Sequence, residues 1–160
     1  MKTWNFGIIG TGGIAQAHAE AIRGLAERAR LVAISETDPG RARAFAEKHG
    51  AKIAADRREL LADPAVRMVC ICTPNATHAS FCVEALEAGK AVLCEKPIAG
   101  SLAELDRIDE ESRRTGGIVA SIFNWRYGGG YRAMRELVGS GAAGRVLWAQ
   151  VDVLWRRTAE

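Results

Sequence analysis

Short apolar runs alternate with amphipathic stretches along this chain. Trp4 to Ile9 is an apolar run that stops at a glycine turn. Ile14, His18, Ile22 and Leu25 then recur at helical spacing. Leu31 to Ser35 is a second apolar run, rich in β-branched residues. Asp38 and Pro39 open a helix as N-cap and first helical residue, and Gly50 closes it. Lys52 to Ala54 reads as a short strand, and Asp56 starts a brief helix that ends before Asp63-Pro64. Arg67 to Cys72 is apolar nearly throughout, Asn75 is placed to cap a helix ending at Gly89, and Ala91 to Cys94 is another strand. Ser101, with Glu104 at the capping-box position, starts a helix reaching about Arg114, and Ile118 to Ile122 is the sixth strand.

Apolar runs without alternation suit parallel strands covered on both faces. Their repetition with helices between them predicts an α/β fold, a doubly wound parallel sheet of the Rossmann type over residues 1–122. Residues 123–160 differ. Gly128-Gly129-Gly130 is a joint, followed by a helix of about Tyr131 to Val138. From Val146 to Trp155 one alternating set, Leu147, Ala149, Val151, Val153 and Trp155, is entirely apolar. That predicts an antiparallel strand with one buried face, the start of an incomplete second domain. A second copy of the chain in a homo-oligomer, or further sequence, would cover the face; an added edge strand of the first sheet is the alternative.

At 160 residues the chain is long enough for one ordinary domain and too short for two full ones. Hydrophobic residues make up 48% and charged residues 26%, the balance of a folded rather than a disordered chain. The net charge of +3 comes from interspersed residues, with no basic stripe, so no nucleic-acid partner is expected. No apolar run approaches the roughly 20 residues of a membrane helix. The N-terminal residues do not read as a signal peptide, so no membrane is expected and the cytoplasm is the expected location. Cys70, Cys72, Cys82 and Cys94 form no C-x-x-C pair and read as buried reduced thiols. No metal site is expected, because His18, His49 and His78 have no ligand-like spacing to them. His18 reads as a partly buried histidine on the apolar stripe, and His49 as solvated.

The chemistry lies in the turns after the strands. The segment Gly10-Thr11-Gly12-Gly13-Ile14-Ala15 fits the pattern G-x-G-x-x-A between a strand and a helix. Gly10 allows the tight turn, Gly12 lets backbone approach a pyrophosphate, and Ala15 lets the helix pack closely. The helix start offers N–H groups and a positive dipole end to phosphates. Glu36 closes the second strand about 20 residues further on, where an acid accepts hydrogen bonds from the adenosine ribose. A carboxylate there repels a 2′-phosphate and favours NAD, while Arg41 and Arg43 keep NADP open. Thr73-Pro74-Asn75-Ala76-Thr77-His78 and Cys94-Glu95-Lys96-Pro97 follow later strands and would reach the same crevice. For His78, a cap-supporting role and catalysis both stand open. Lys96 either exchanges a proton with a substrate hydroxyl or serves only phosphate and solvent.

Together these residues resemble the N-terminal half of the glucose–fructose oxidoreductase, inositol dehydrogenase and rhizopine-catabolism (Gfo/Idh/MocA) family. The likeness extends to Ala88-Gly89-Lys90, Asn124-Trp125-Arg126 and Gly141-Ala142-Ala143-Gly144. The resemblance implies NAD(P)-dependent hydride transfer on a sugar, inositol or related polyol. It makes Lys96 the proton-exchanging lysine. It puts Thr73, Asn75, Glu95 and Arg126 in the cofactor crevice, with Trp125 near the nicotinamide. Family members have a second domain that completes the substrate pocket, so the expectation is a cofactor-binding half. The alternative is a nucleotide-binding module or split subunit that needs another chain.

Overall fold

The computed structural model describes residues 3–154. Its elements are β1 Trp4–Ile9, α1 Gly13–Gly24, β2 Ala29–Ser35, α2 Pro39–His49, β3 Lys52–Ile53, α3 Arg57–Ala62, β4 Met68–Ile71, α4 His78–Glu87, β5 Ala91–Cys94, α5 Leu102–Thr115, β6 Val119–Ser121 and α6 Gly129–Gly139. The chain divides into two compact units, Met1–Ile122 and Phe123–Glu160.

The first unit is one six-stranded sheet in the order β3-β2-β1-β4-β5-β6, every pair parallel. This is the doubly wound order, and the chain reverses its winding between β1 and β4. Alternate strand residues supply the two cores. Ile8, Ile34 and Cys70 face one way, onto Ala15, Ala19 and Ile22 of α1 and Ala42, Phe45 and Ala46 of α2. Ile9, Ala33, Val69, Ile71 and Val92 face the other way, onto Leu60 of α3, Cys82 and Leu86 of α4 and Ile108 of α5. Both faces are therefore covered, which is why these strands read as apolar runs.

Local chemistry sets most helix ends. The Asp38 carboxylate accepts from the Arg41 N–H at 2.8 Å, and Asp56 accepts from Glu59 N–H at 2.8 Å. Ser101 Oγ accepts from Glu104 N–H at 3.2 Å, while Glu104 reaches back to Gly100 N–H at 2.7 Å. Gly50 ends α2 in the left-handed conformation. The start of α4 departs from expectation. Asn75 does not cap it; Asn75–Thr77 forms a 3₁₀ turn, and α4 begins at His78 with no side-chain cap. His78 is held in the interior by two backbone carbonyls, those of Thr73 and of the more distant Pro97, and the helix starts there.

All four cysteines are reduced and buried. Burial, aided by the negative charge of Glu95, pushes the Cys70 thiol up to about 12. His49 is half-buried against Phe45 and Gln16 rather than solvated. No helix among the described residues is long and apolar enough to cross a membrane.

The second unit contains a 3₁₀ turn, Asn124–Tyr127, and α6. The expected strand from Val146 is not formed: residues 146–154 have no strand structure and are exposed. Apolar alternation marks a face, but a strand exists only through hydrogen bonds to a neighbouring backbone. Trp155 lies outside the described residues.

Candidate cofactor crevice

At the carboxyl end of β1, Gly10 takes φ +84°, a conformation that favours glycine. A Cβ there would also lie 2.9 Å from Thr73 Cγ2 and 3.0 Å from the Cys72 carbonyl. Gly10 therefore serves the packing of β1 against the end of β4. Gly12 is different. It is the N-cap of α1, and a Cβ on it, or on Gly13, would meet nothing within 4 Å. No side chain caps α1, and its first turn carries no acid. α1 is thus a run of twelve aligned peptide dipoles whose start carries neither a side-chain cap nor an acid, an arrangement that attracts a phosphate. Ala15, fully buried, seats the helix on the sheet, whereas Ile14 stays exposed.

Glu36 at the end of β2 turns back to this loop. Its Oε2 accepts from the Thr11 N–H at 2.8 Å and the Thr11 hydroxyl at 2.9 Å. Its Oε1 accepts from Thr37 N–H at 2.8 Å, the Thr37 hydroxyl at 3.1 Å, Asp38 N–H at 3.1 Å and the Arg41 guanidinium at 3.0 Å. Burial is the largest single influence and opposes the charge, but the hydrogen bonds from Thr11, Asp38 and Thr37 together outweigh it. They hold the carboxyl at about 2. Sequence reasoning gave Glu36 to a ribose; in the structure it clasps the glycine turn. Spacing alone could not reveal a contact across 25 residues.

The end of β4 carries Thr73, Pro74 and Asn75, the last two exposed. The Thr77 hydroxyl donates to the Pro74 carbonyl at 2.8 Å, so its 2.7 Å contact with Thr73 is a bond that Thr73 donates. His78 has no exposed surface. Its Nδ1 lies 2.7 Å from the Pro97 carbonyl oxygen and its Nε2 2.8 Å from that of Thr73. The ring therefore joins these two loops from the interior.

Glu95 and Lys96 follow β5. Glu95 is buried, and its Oε1 lies 2.9 Å from Nε2 of His18 on α1. Its Oε2 accepts from the Lys96 N–H at 3.3 Å. Lys96 itself is exposed and makes no ion pair among the described residues. Trp125 and Arg126 belong to the second unit, where both are exposed and Trp125 stands edge-on to Tyr131. A group that the sequence did not mark is Ser121 Oγ, at the carboxyl end of β6, which is buried without a hydrogen-bond partner among the described residues.

The first unit thus gathers the glycine turn, Glu36, Thr73 to Asn75, Glu95 and Lys96 at the carboxyl ends of β1, β2, β4 and β5. In open parallel sheets that edge, at the reversal of winding, is where ligands bind.

Residues 4–123 match the family model GFO_IDH_MocA, described as an oxidoreductase family with an NAD-binding Rossmann fold. The chain is 38% identical over 148 residues to inositol 2-dehydrogenase 3 of Saccharopolyspora erythraea, covering 92% of this chain and 44% of that protein. It is 36% identical to myo-inositol 2-dehydrogenase of Thermotoga maritima, covering 87% of this chain and 42% of that protein. Among solved structures, an NAD-binding oxidoreductase from Klebsiella pneumoniae superposes with a TM-score of 0.82 at 34% identity, over 89% of this chain and 40% of that one. The WlbA dehydrogenase of Chromobacterium violaceum, solved with NADH and UDP-GlcNAcA, superposes with a TM-score of 0.87 at 25% identity, over 91% and 42%. The chain spans less than half the length of these relatives.

Proposed function

The chain belongs to the Gfo/Idh/MocA oxidoreductase family with its NAD-binding Rossmann fold, and from that premise we propose that it binds NAD in the β1–α1 crevice and serves oxidation of an inositol or related polyol. The observation that carries the reading is the uncapped start of α1 with open space over Gly12 and Gly13. Backbone N–H groups there would hold the pyrophosphate. Glu36 would take the ribose hydroxyls in exchange for the exposed Arg41 guanidinium, and its negative charge favours NAD over NADP. Thr73, Asn75 and Glu95 line the way toward Lys96. Bound nicotinamide supplies the carbon that accepts hydride. Lys96, exposed and without an ion pair among the described residues, exchanges a proton with the substrate hydroxyl as that hydroxyl becomes a carbonyl. The polyol assignment is supported by the inositol dehydrogenases to which the chain is similar.

Titration of the folded chain with NAD, followed by tryptophan fluorescence, tests this. Saturable quenching is expected, weaker with NADP. A folded sample that binds neither nucleotide overturns the proposal.

A further inference from the structure

Lys96 has a long free side chain, so its aim depends on how firmly its backbone is held. Its two neighbours in the chain are each held by a buried imidazole. On one side, His18 of α1 meets the Glu95 carboxylate at 2.9 Å, and the other oxygen of that carboxylate accepts from the Lys96 N–H. On the other side, His78 of α4 meets the Pro97 carbonyl at 2.7 Å and, through its second nitrogen, the Thr73 carbonyl at 2.8 Å. Neither ring is filler. A buried polar ring is costly unless it is hydrogen-bonded, and an aliphatic side chain would fill the space without that cost. For His78 the chemistry is more demanding. Both partners are carbonyl oxygens, which only accept, so the tautomer of the ring decides which nitrogen donates.

We propose that His18 and His78 are positioning residues that hold Lys96 between the phosphate-binding helix and the Thr73–Asn75 loop. His18 ties the end of β5 to the helix that begins at the glycine turn. His78 ties the same end to the loop after β4. The two contacts come from helices on opposite faces of the sheet, 77 residues back and 19 residues back in the chain. This rests on the reading of the crevice as a nicotinamide site only for what Lys96 does there; the clamp itself is a property of the backbone.

The test uses side chains that keep one donor each. Asn places its amide nitrogen near the position of Nδ1, and Gln near that of Nε2. Beyond the chain neighbours of residue 78, whose signals move in every variant, in His78→Asn the Pro97 bond is expected to survive and amide NMR signals should move at Thr73 and not at Lys96. In His78→Gln the pattern should reverse, with movement at Lys96 and Ile98 and not at Thr73. His78→Leu should move both sets and weaken NAD binding by about tenfold. His18→Leu should move the Lys96 amide signal, and His18→Gln should restore it. Should His78→Leu fail to fold, the Asn and Gln variants still carry the comparison. Identical patterns in those two variants, or wild-type signals at both loops in folded His78→Leu, overturn the clamp. If the unaltered chain binds neither NAD nor NADP, the cofactor reading falls, while the NMR patterns still decide the clamp.

Discussion

Helices α2, α3 and α5 each begin under a side-chain cap, from Asp38, Asp56 and Ser101 respectively, whereas α1 begins bare at Gly12. The two kinds of start do different work. In the capped helices a side-chain oxygen satisfies one of the orphan N–H groups within the protein, which adds stability. In α1 no side chain does so, and the loop before it is held by Glu36 through Thr11. A region that could have been stabilised locally is instead left free for a partner, and the loop's rigidity is supplied by a residue from the next strand.

The contrast is most directly broken by closing the bare start. Gly12→Asp places a capping carboxylate where the structure has free room, at a backbone φ of −66° that any residue adopts. The expected outcome is a loss of NAD affinity of about a hundredfold or more, close to 2.7 kcal/mol. The melting temperature should hold or rise. Fluorescence titration beside a thermal melt reads both, and undiminished binding would show that phosphates do not sit on α1.

Removing the support behind the loop should cost less. Glu36→Gln is expected to lower stability by on the order of 2 kcal/mol, after solvent screening. The sign follows from the carboxyl's depressed value. Its contribution is complete above its ordinary value of 4.5 and is lost as pH falls from there toward about 2. Urea unfolding at a series of pH values should show that acid-side loss in the natural chain and not in the variant. Parallel curves would mean that Glu36 is not bound as described.

The smallest effect is expected at a capped helix. Ser101→Ala should cost about 1 kcal/mol of stability and leave NAD affinity as it was. A change in affinity comparable to that of Gly12→Asp would erase the distinction between the two kinds of helix start.

How legible each feature was depended on the distance between its parts. The caps of α2 and α5 could be read directly, since Asp38 with Arg41 and Ser101 with Glu104 lie within one turn. Strands β1, β2, β4 and β5 were visible because a sheet covered on both faces demands apolar runs. Asn75 was misread as a cap because the residue that decides the start of α4 is His78, fixed by a carbonyl 19 residues away. For the same reason His78 looked like a crevice residue and proved to be interior. Val146 to Leu154 has strand-like alternation but forms no strand, because alternation does not supply a neighbouring backbone.

By itself, then, the sequence determined the alternation of strand and helix, the glycine turn and the polar residues that end the strands. All of these are set by interactions within a few residues. Only the tertiary structure decided that Glu36 clasps Thr11, that His18 meets Glu95, and that His78 joins two loops. Each of those contacts is made by a polar group that burial obliges to find a partner, and which partner lies within reach is set by the order of strands in the sheet.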